Sequence, residues 1–159
     1  MARHKSISRS QSLIPFSRDH HFGLVQAMSL RKAAEQDTKQ QFEALGAFLN
    51  EWQTQMEDHF DQEETLLLPF MTEGEQKQFL DEHKQLRSLA EKTKQCLSEK
   101  QVEGDFLTHL GTQLHDHIRW EERVLYTAIE NRLSEKEKTE LEKATRQIES
   151  TRNRKSTKP

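Results

Sequence analysis

The sequence contains, at two places, a histidine followed by three residues and then two glutamates. The first copy is HFDQEE, which begins at His59, and the second is HIRWEE, which begins at His117. On an α-helix, a histidine and a glutamate four residues later lie one turn apart on the same face. The pairs His59 with Glu63 and His117 with Glu121 can therefore each direct an imidazole nitrogen and a carboxylate oxygen into one small volume. Donors of these two kinds bind divalent and trivalent metal ions.

Both pairs continue the apolar stripe of a predicted helix. His59 and Glu63 follow apolar residues spaced alternately by three and four, which is the pattern of a helix packed in a bundle. The members of that stripe are Phe42, Leu45, Leu49, Trp52, Met56, His59, Glu63 and Leu66. The stripe with His117 and Glu121 runs on to Val124 and Ala128, and a third stripe contains Phe79, His83 and Leu86. A buried carboxylate costs several kcal/mol unless it is paired or binds a metal, so these stripes predict a metal site inside a bundle.

A further helix contains two adjacent histidines in the segment SRDHHFGL. Neighbouring residues project roughly 100° apart on a helix, so we expect one of the two at the centre. The residues three, four and seven positions after His21 are all apolar, and His21 is therefore the preferred ligand. His20, which also shares a face with apolar residues, stays as the alternative.

The elements that must position these side chains are four amphipathic helices of about 20 residues. The first is predicted from Ser17 to about Gln36, and the second ends before Pro69. Thr72 with Glu75 has the spacing of a capping box at the start of the third helix. Asp105 is predicted to cap the fourth helix, and Ser134 with Glu137 to cap a short fifth one.

This pattern predicts an all-α fold, an antiparallel up-down-up-down four-helix bundle with a short extra C-terminal helix. Charged residues make up 32% of the chain, which has only five glycines and three prolines, as expected for long helices with solvated outer faces. We expect residues 1–12 to form a disordered polar tail, residues 13–148 the bundle, and residues 149–159 a basic disordered tail.

Net charge and composition also restrict which partners and which cellular location we expect. A net charge of −3 argues against nucleic acid, and the apolar run LLLPFM is too short to span a membrane. The N-terminus lacks the apolar core of a signal peptide. The single cysteine, Cys96, excludes an internal disulfide and a thiolate-rich zinc site. We therefore expect a cytoplasmic protein of unknown oligomeric state.

Four histidines and two glutamates could surround one ion or hold two ions that share the carboxylates, and their origin on four helices favours two. The segments DHHFGL, HFDQEE, DEHKQL and HIRWEE, over about residues 16–131, resemble the hemerythrin-like family, also called the HHE cation-binding domain. The resemblance implies a four-helix bundle with a non-heme di-iron centre, that is, two iron ions with an oxo or hydroxo bridge. It implies terminal ligands at His21 or His20, His59, His83 and His117, with Glu63 and Glu121 as bridging carboxylates. Zinc and manganese are the alternative metals.

The chain departs from the oxygen-carrying members of that family at two positions. Where those proteins have a second histidine, one turn after His83, this chain has Arg87. They also have an acid five residues after the last histidine, a position held here by Glu122, so Glu122 is the alternative to Glu121. We otherwise expect Glu122, like Glu64 in the first motif, to support the site through a salt bridge or hydrogen bond. One histidine fewer leaves a more open site and argues against simple reversible oxygen carriage.

Three functions are therefore compatible with the sequence. The first is a di-iron module that binds or senses oxygen, nitric oxide or iron. The second is a di-iron enzyme that acts on nitric oxide or peroxide, or an iron donor for repair. The third is a structural bundle stabilised by zinc. The chain shows no further catalytic acid or base and no redox cysteine pair, which favours a binding module over an enzyme.

Overall fold

A computed structural model of the protein describes residues 9–156, with side chains up to residue 151. The described residues form helices and no strand. We name four long helical segments in chain order. Segment A is helix α1, segment B joins helices α2 and α3 through a π-helical turn, segment C is α4, and segment D joins α5 and α6 through a second π-helical turn. The bounds are α1 Ile14–Ala33, α2 Thr38–Glu51, π-turn Trp52–Met56, α3 Glu57–Leu66, 3-10 turn Leu68–Phe70, α4 Glu73–Glu99, α5 Gly104–Trp120, π-turn Glu121–Leu125, α6 Tyr126–Arg132 and α7 Glu135–Ser156.

Two helix starts have the capping boxes that the sequence predicts. The hydroxyl of Thr72 accepts a hydrogen bond from the Glu75 amide at 3.2 Å, and the Glu75 carboxylate accepts one from the Thr72 amide at 2.9 Å. Ser134 and Glu137 make the same reciprocal pair at 3.1 and 2.9 Å. These bonds satisfy amides that the first turn of a helix leaves without partners.

Two other predicted helix starts are wrong. Helix α1 begins at Ile14, three residues before the predicted cap Ser17. Pro15 fits the first turn because its missing amide would have no partner there. Helix α5 begins at Gly104, so Asp105 lies within its first turn and not at the cap position.

The predicted short fifth helix and the tail after it are also corrected. Helix α7 has 22 residues and includes residues 149–156, which we expected to be disordered. Residues 149–156 contain no glycine or proline. In the turns just before them, Glu142 pairs with Arg146 at 2.5 Å. The local sequence therefore favours continuation of the helix. Residues 157–159 lie outside the described residues.

The predicted N-terminal tail is corrected at its end. The Arg9 side chain is 6% exposed, and its nitrogens lie 3.4 Å from the Glu122 carboxylate and 3.3 Å from the Glu130 carboxylate. Residues 9–12 thus pack on segment D instead of forming a disordered tail. Residues 1–8 of that prediction lie outside the described part of the chain.

The π-helical turn of segment D changes which residues face the core. The stripe predicted from α-helical spacing continues to Val124, but Val124 is 52% exposed, whereas Leu125, Tyr126 and Ile129 are buried. A π-helical turn bonds residue i to residue i+5 and so contains one more residue than an α-helical turn. The extra residue shifts the buried face after Glu121 by one position.

Two apolar clusters fill the bundle. The larger one includes Leu45, Phe48, Phe60, Leu114 and Ile118, and the second includes Phe16, Leu67, Phe79, Leu125 and Tyr126. The His83 ring lies between the two clusters, with its centroid 4.0 Å from that of Phe60 and 4.0 Å from that of Phe79. The polar side chains described below therefore lie where the two apolar clusters meet. No helix of the described residues is long and apolar enough to cross a membrane.

Segments A and D approach each other closely at a glycine. A Cβ added at Gly111 would lie 2.8 Å from the Ala27 carbonyl oxygen, whereas one added at Gly46 would meet nothing within 4 Å. We expect Gly111→Ala to lower the free energy of unfolding by about 1–3 kcal/mol, because a backbone atom blocks the added methyl group. Gly46→Ala, the matched control, should raise it by about 0.5–1 kcal/mol through helix propensity. Urea denaturation of both variants tests this expectation, and a Gly111→Ala protein as stable as Gly46→Ala would contradict it.

Candidate metal centre

Six of the seven predicted ligands come together in the centre of the bundle. They form two groups, each with ligand atoms within 4.8 Å of one another. One group contains His20, His59, Glu63 and Glu121, and the other contains Glu63, His83, His117 and Glu121. All six residues are buried, and both glutamates are 0% exposed. The two groups share both carboxylates.

His21 is the predicted ligand that does not reach this centre, and the alternative, His20, lies there instead. The His21 side chain is exposed, while His20 is 4% exposed. The face that α1 buries passes through glycine and alanine at Gly23 and Ala27. Of the larger apolar residues that suggested the other face, Val25 is 43% and Met28 62% exposed, and only Leu24 packs against the core. Close packing of segment A against segment D favours small residues on the buried face.

The Nε2 atom of every buried imidazole points at the two shared carboxylates. On one side, His20 Nε2 lies 2.8 Å from Glu121 Oε2, and His59 Nε2 lies 3.0 Å from Glu63 Oε1. On the other side, His117 Nε2 lies 2.5 Å from Glu121 Oε1, and His83 Nε2 lies 3.3 Å from the same oxygen. Six side chains that can bind a metal ion, four imidazoles and two carboxylates, therefore converge without any apolar side chain between them.

Two of these converging atoms have no hydrogen-bond partner although they are fully buried. They are Glu63 Oε1 and His117 Nε2, and the contact of His117 with Glu121 lacks hydrogen-bond geometry. A buried carboxylate oxygen or ring nitrogen left without a partner is costly, and native proteins rarely contain one. A metal ion would bind both atoms. The residues present therefore fit a metal centre.

The outward nitrogen of each imidazole is bonded to a second carboxylate. In all four cases Nδ1 lies within hydrogen-bond distance of an aspartate or glutamate side chain on a different helical segment. The pairs are His59 with Asp19 at 2.9 Å, His83 with Glu64 at 3.1 Å, His117 with Glu82 at 2.8 Å and His20 with Glu122 at 2.6 Å. With metal bound, such a bond would keep the ring proton on Nδ1 and leave the Nε2 lone pair for the ion.

These four outer pairs close a circuit around the bundle. Segment A supports the histidine of B, B supports that of C, C supports that of D, and D supports that of A. Asp19 and Glu82 directly precede a site histidine, whereas Glu64 and Glu122 directly follow a site glutamate. Our sequence reasoning anticipated supporting roles for Glu64 and Glu122 but missed Asp19 and Glu82. The dipeptides Asp-His and Glu-His were the available signal.

Arg87, which stands where oxygen carriers have another histidine, points away from the centre. Its guanidinium binds both oxygens of Glu64, at 3.2 and 2.5 Å, and Asp61 at 2.9 Å. Burial raises the pKa of Glu64, but the hydrogen bonds from His83 and Arg87 outweigh burial and lower that pKa to about 2. Arg87 therefore fixes an outer carboxylate and is not one of the six converging side chains.

Tyr126 is a central residue that our sequence reasoning missed. Its side chain is 0% exposed, and its hydroxyl lies 2.5 Å from Glu63 Oε2 and 3.2 Å from Glu121 Oε2. Burial and then the charges of these two glutamates raise the pKa of Tyr126 well above its usual value of 10. With α-helical spacing, Tyr126 would not share a face with Glu121, and nothing in the sequence signalled the π-helical turn that brings them together.

The carboxylates also control protonation of the imidazoles. Burial by itself lowers the pKa of each buried histidine, but hydrogen bonds to the carboxylates and their charges outweigh burial. In the metal-free protein the pKa of His20 is raised to about 10, that of His59 to about 9 and that of His83 to about 11. The pKa of His117 is raised as well, and the histidines hold the pKa of Glu121 well below its usual range against the effect of burial. Protons thus occupy the ring nitrogens that would bind metal.

Comparison with known families agrees with this arrangement. A sequence model of the hemerythrin HHE cation binding domain matches residues 12–129, and that range contains all six converging ligands. The chain belongs to the hemerythrin HHE cation-binding domain family. No curated protein and no solved structure gives a significant match.

The raised pKa values predict how the stability of the metal-free protein depends on pH. His20 and His59 have ordinary pKa values of 6.5 and folded values of about 10 and about 9. Their protonation therefore stabilises the fold fully below pH 6.5, and this contribution is lost as pH rises through about 9 to 10. We expect the melting temperature of metal-free protein to fall as the pH rises from 6.5 to about 10. The melting temperature of metal-loaded protein should change less over the same range. A melting temperature that rises with pH in the metal-free protein would disprove this assignment.

The outer circuit predicts the effect of removing one supporting carboxylate. Glu82→Ala removes the hydrogen bond to His117 Nδ1 and should weaken metal binding about 10- to 100-fold, the usual cost of losing such a partner. The adjacent Asp81 is exposed, and Asp81→Ala serves as the matched control. Competition with a metal chelator measures both affinities. Equal affinities of the two variants would show that Glu82 does not orient His117.

Proposed function

We propose that the chain is a non-heme di-iron protein of the hemerythrin type that binds or senses oxygen, nitric oxide or iron. The observation that carries this proposal is that the two candidate ligand groups share both Glu63 and Glu121. Two carboxylates common to two adjacent groups of imidazoles are what a two-metal centre requires. A single ion would leave one pair of imidazoles without a role.

The imidazoles are arranged as two pairs, which supports one ion at each pair. The ring centroids of His20 and His59 lie 4.9 Å apart, and those of His83 and His117 also lie 4.9 Å apart. Each pair belongs to a different candidate group. The proposed site therefore has two nitrogens for each ion, with the carboxylates in common.

The donor set favours iron. It consists of imidazoles and carboxylates, which suit iron and manganese, and it lacks the thiolates of many zinc sites. Arg87 is bonded to Glu64 and Asp61, so it does not replace as a ligand the histidine that oxygen carriers have at this position. Iron held in such a site would supply redox chemistry and free coordination positions for a diatomic ligand. The protein would supply the dry, carboxylate-rich surroundings.

The antiparallel up-down-up-down order of the bundle belongs to the same proposal. Residues 34–37 connect segments A and B, residues 67–72 connect B and C, and residues 100–103 connect C and D. Such short connections favour antiparallel neighbours. The outer carboxylates connect the segments in the order A, B, C, D and back to A, so consecutive segments are neighbours, as in that arrangement.

Metal analysis tests the proposal directly. Protein loaded aerobically with iron should hold two ions per chain, and His59→Ala and His117→Ala should each lose at least one ion and melt at a lower temperature. His115→Ala, on the same helix as His117 but with a partly exposed side chain bonded to Asp116, is the matched control and should keep both ions. Absence of iron in the wild type, or full metal content in both site variants, would refute the proposal.

Spectroscopy then separates the proposed function from its alternatives. Anaerobic ferrous protein should change its absorption reversibly when oxygen or nitric oxide is added. Repeated consumption of nitric oxide or peroxide would indicate an enzyme instead. Zinc as the bound metal, with no response to any of the three molecules, would indicate a structural site.

A further inference from the structure

We infer that Tyr126 makes the two shared glutamates bind metal in different ways. Its hydroxyl donates a hydrogen bond to Glu63 Oε2, so Glu63 offers only Oε1 to the metal ions, whereas Glu121 offers both oxygens. The family resemblance alone implies two equivalent bridging carboxylates. This inference rests on the proposed two-metal centre and assigns Tyr126 as a positioning residue within it.

Glu121 faces both pairs of imidazoles with different oxygens. Its Oε2 lies 2.8 Å from His20 Nε2, and its Oε1 lies 2.5 Å from His117 Nε2 and 3.3 Å from His83 Nε2. One oxygen is therefore available at each of the two candidate groups. Glu121 could therefore give one oxygen to a metal ion held at each group.

Glu63 faces both pairs with the same oxygen. Its Oε1 lies 3.0 Å from His59 Nε2 and 3.5 Å from His83 Nε2, and that oxygen has no hydrogen-bond partner. Its Oε2 lies instead 2.5 Å from the Tyr126 hydroxyl. Glu63 can therefore reach metal at both groups only through Oε1.

Tyr126 donates its single hydroxyl hydrogen to Glu63 and not to Glu121. Tyr126 Oη is 2.5 Å from Glu63 Oε2 but 3.2 Å from Glu121 Oε2, and a phenol has one hydrogen to donate. The shorter contact has the length of a strong hydrogen bond to a carboxylate. Glu121 therefore keeps both oxygens for metal.

The π-helical turn holds Tyr126 in this position. The backbone amide of Tyr126 donates to the carbonyl of Glu121 five residues earlier, which places the two side chains on the same face. The Tyr126 ring stacks on His20, with centroids 5.3 Å apart and planes 14° apart, and also contacts Phe16. These ring contacts and full burial favour the orientation in which the hydroxyl meets Glu63.

Infrared difference spectra of metal-loaded minus metal-free protein, labelled with carbon-13 in its glutamate carboxylates, test this inference. A carboxylate bound through one oxygen separates its antisymmetric and symmetric stretches more widely than one bound through both. Wild-type protein should show one wide and one narrow pair of bands. Tyr126→Phe keeps the ring but frees Glu63 Oε2, so the wide pair should be replaced by a second narrow pair.

Phe16→Leu is the matched control, because it disturbs packing against Tyr126 and His59 without removing a polar group. It should keep the wide pair. Two narrow pairs in the wild type, or a wide pair that survives in Tyr126→Phe, would overturn the inference while leaving the two-metal proposal intact.

Tyr126 is the only tyrosine in the chain, so resonance Raman bands of an iron-bound phenolate in the wild type could come only from it. Such bands would show that Tyr126 binds iron itself and would overturn its assignment as a hydrogen-bond donor. Fewer than two ions in the wild type would overturn this inference and the proposed function together.

Discussion

The buried carboxylates of Glu63 and Glu121 impose the requirements that the rest of the structure meets. An isolated carboxylate in an apolar interior is strongly unfavourable, so each needs positive charge and hydrogen-bond donors close by. Four imidazoles meet that need on the inside, each with Nε2 turned toward the centre. Charged imidazoles are unfavourable in turn unless they are paired, and the outer carboxylates pair them. Arg87 and Arg9 bind two of those outer carboxylates near the surface.

This layered arrangement explains how one site can exist with and without metal. Without metal, raised imidazole pKa values keep protons between the rings and the carboxylates. With metal, the same nitrogens and oxygens would become ligands after losing those protons. Because each outer carboxylate comes from the segment before the histidine that it supports, displacement of one helix disturbs the ligand on the next. Metal binding and packing of the four segments are therefore energetically linked.

Some parts of the centre could be predicted from sequence because they follow α-helical geometry. His59 with Glu63 and His117 with Glu121 are separated by four residues, and each pair lies on one buried face, as predicted. Tyr126 could not be found this way, because a π-helical turn brings residues five apart together. His20 was underrated because the face that it shares is buried through small residues, and hydropathy weighs small residues too little. In both cases contacts between helices decided the outcome, and a single-helix pattern does not contain those contacts.

Arg87 acts on the centre indirectly, through an outer carboxylate. A histidine at this position could not bind Glu64 with two parallel hydrogen bonds as Arg87 does. Arginine is suited to that role because its planar group matches a carboxylate. Glu64 accepts in turn from His83 Nδ1 at 3.1 Å, so fixing Glu64 also fixes the His83 ring. A residue outside the six converging side chains therefore helps to orient one of them, as supporting residues of functional sites do.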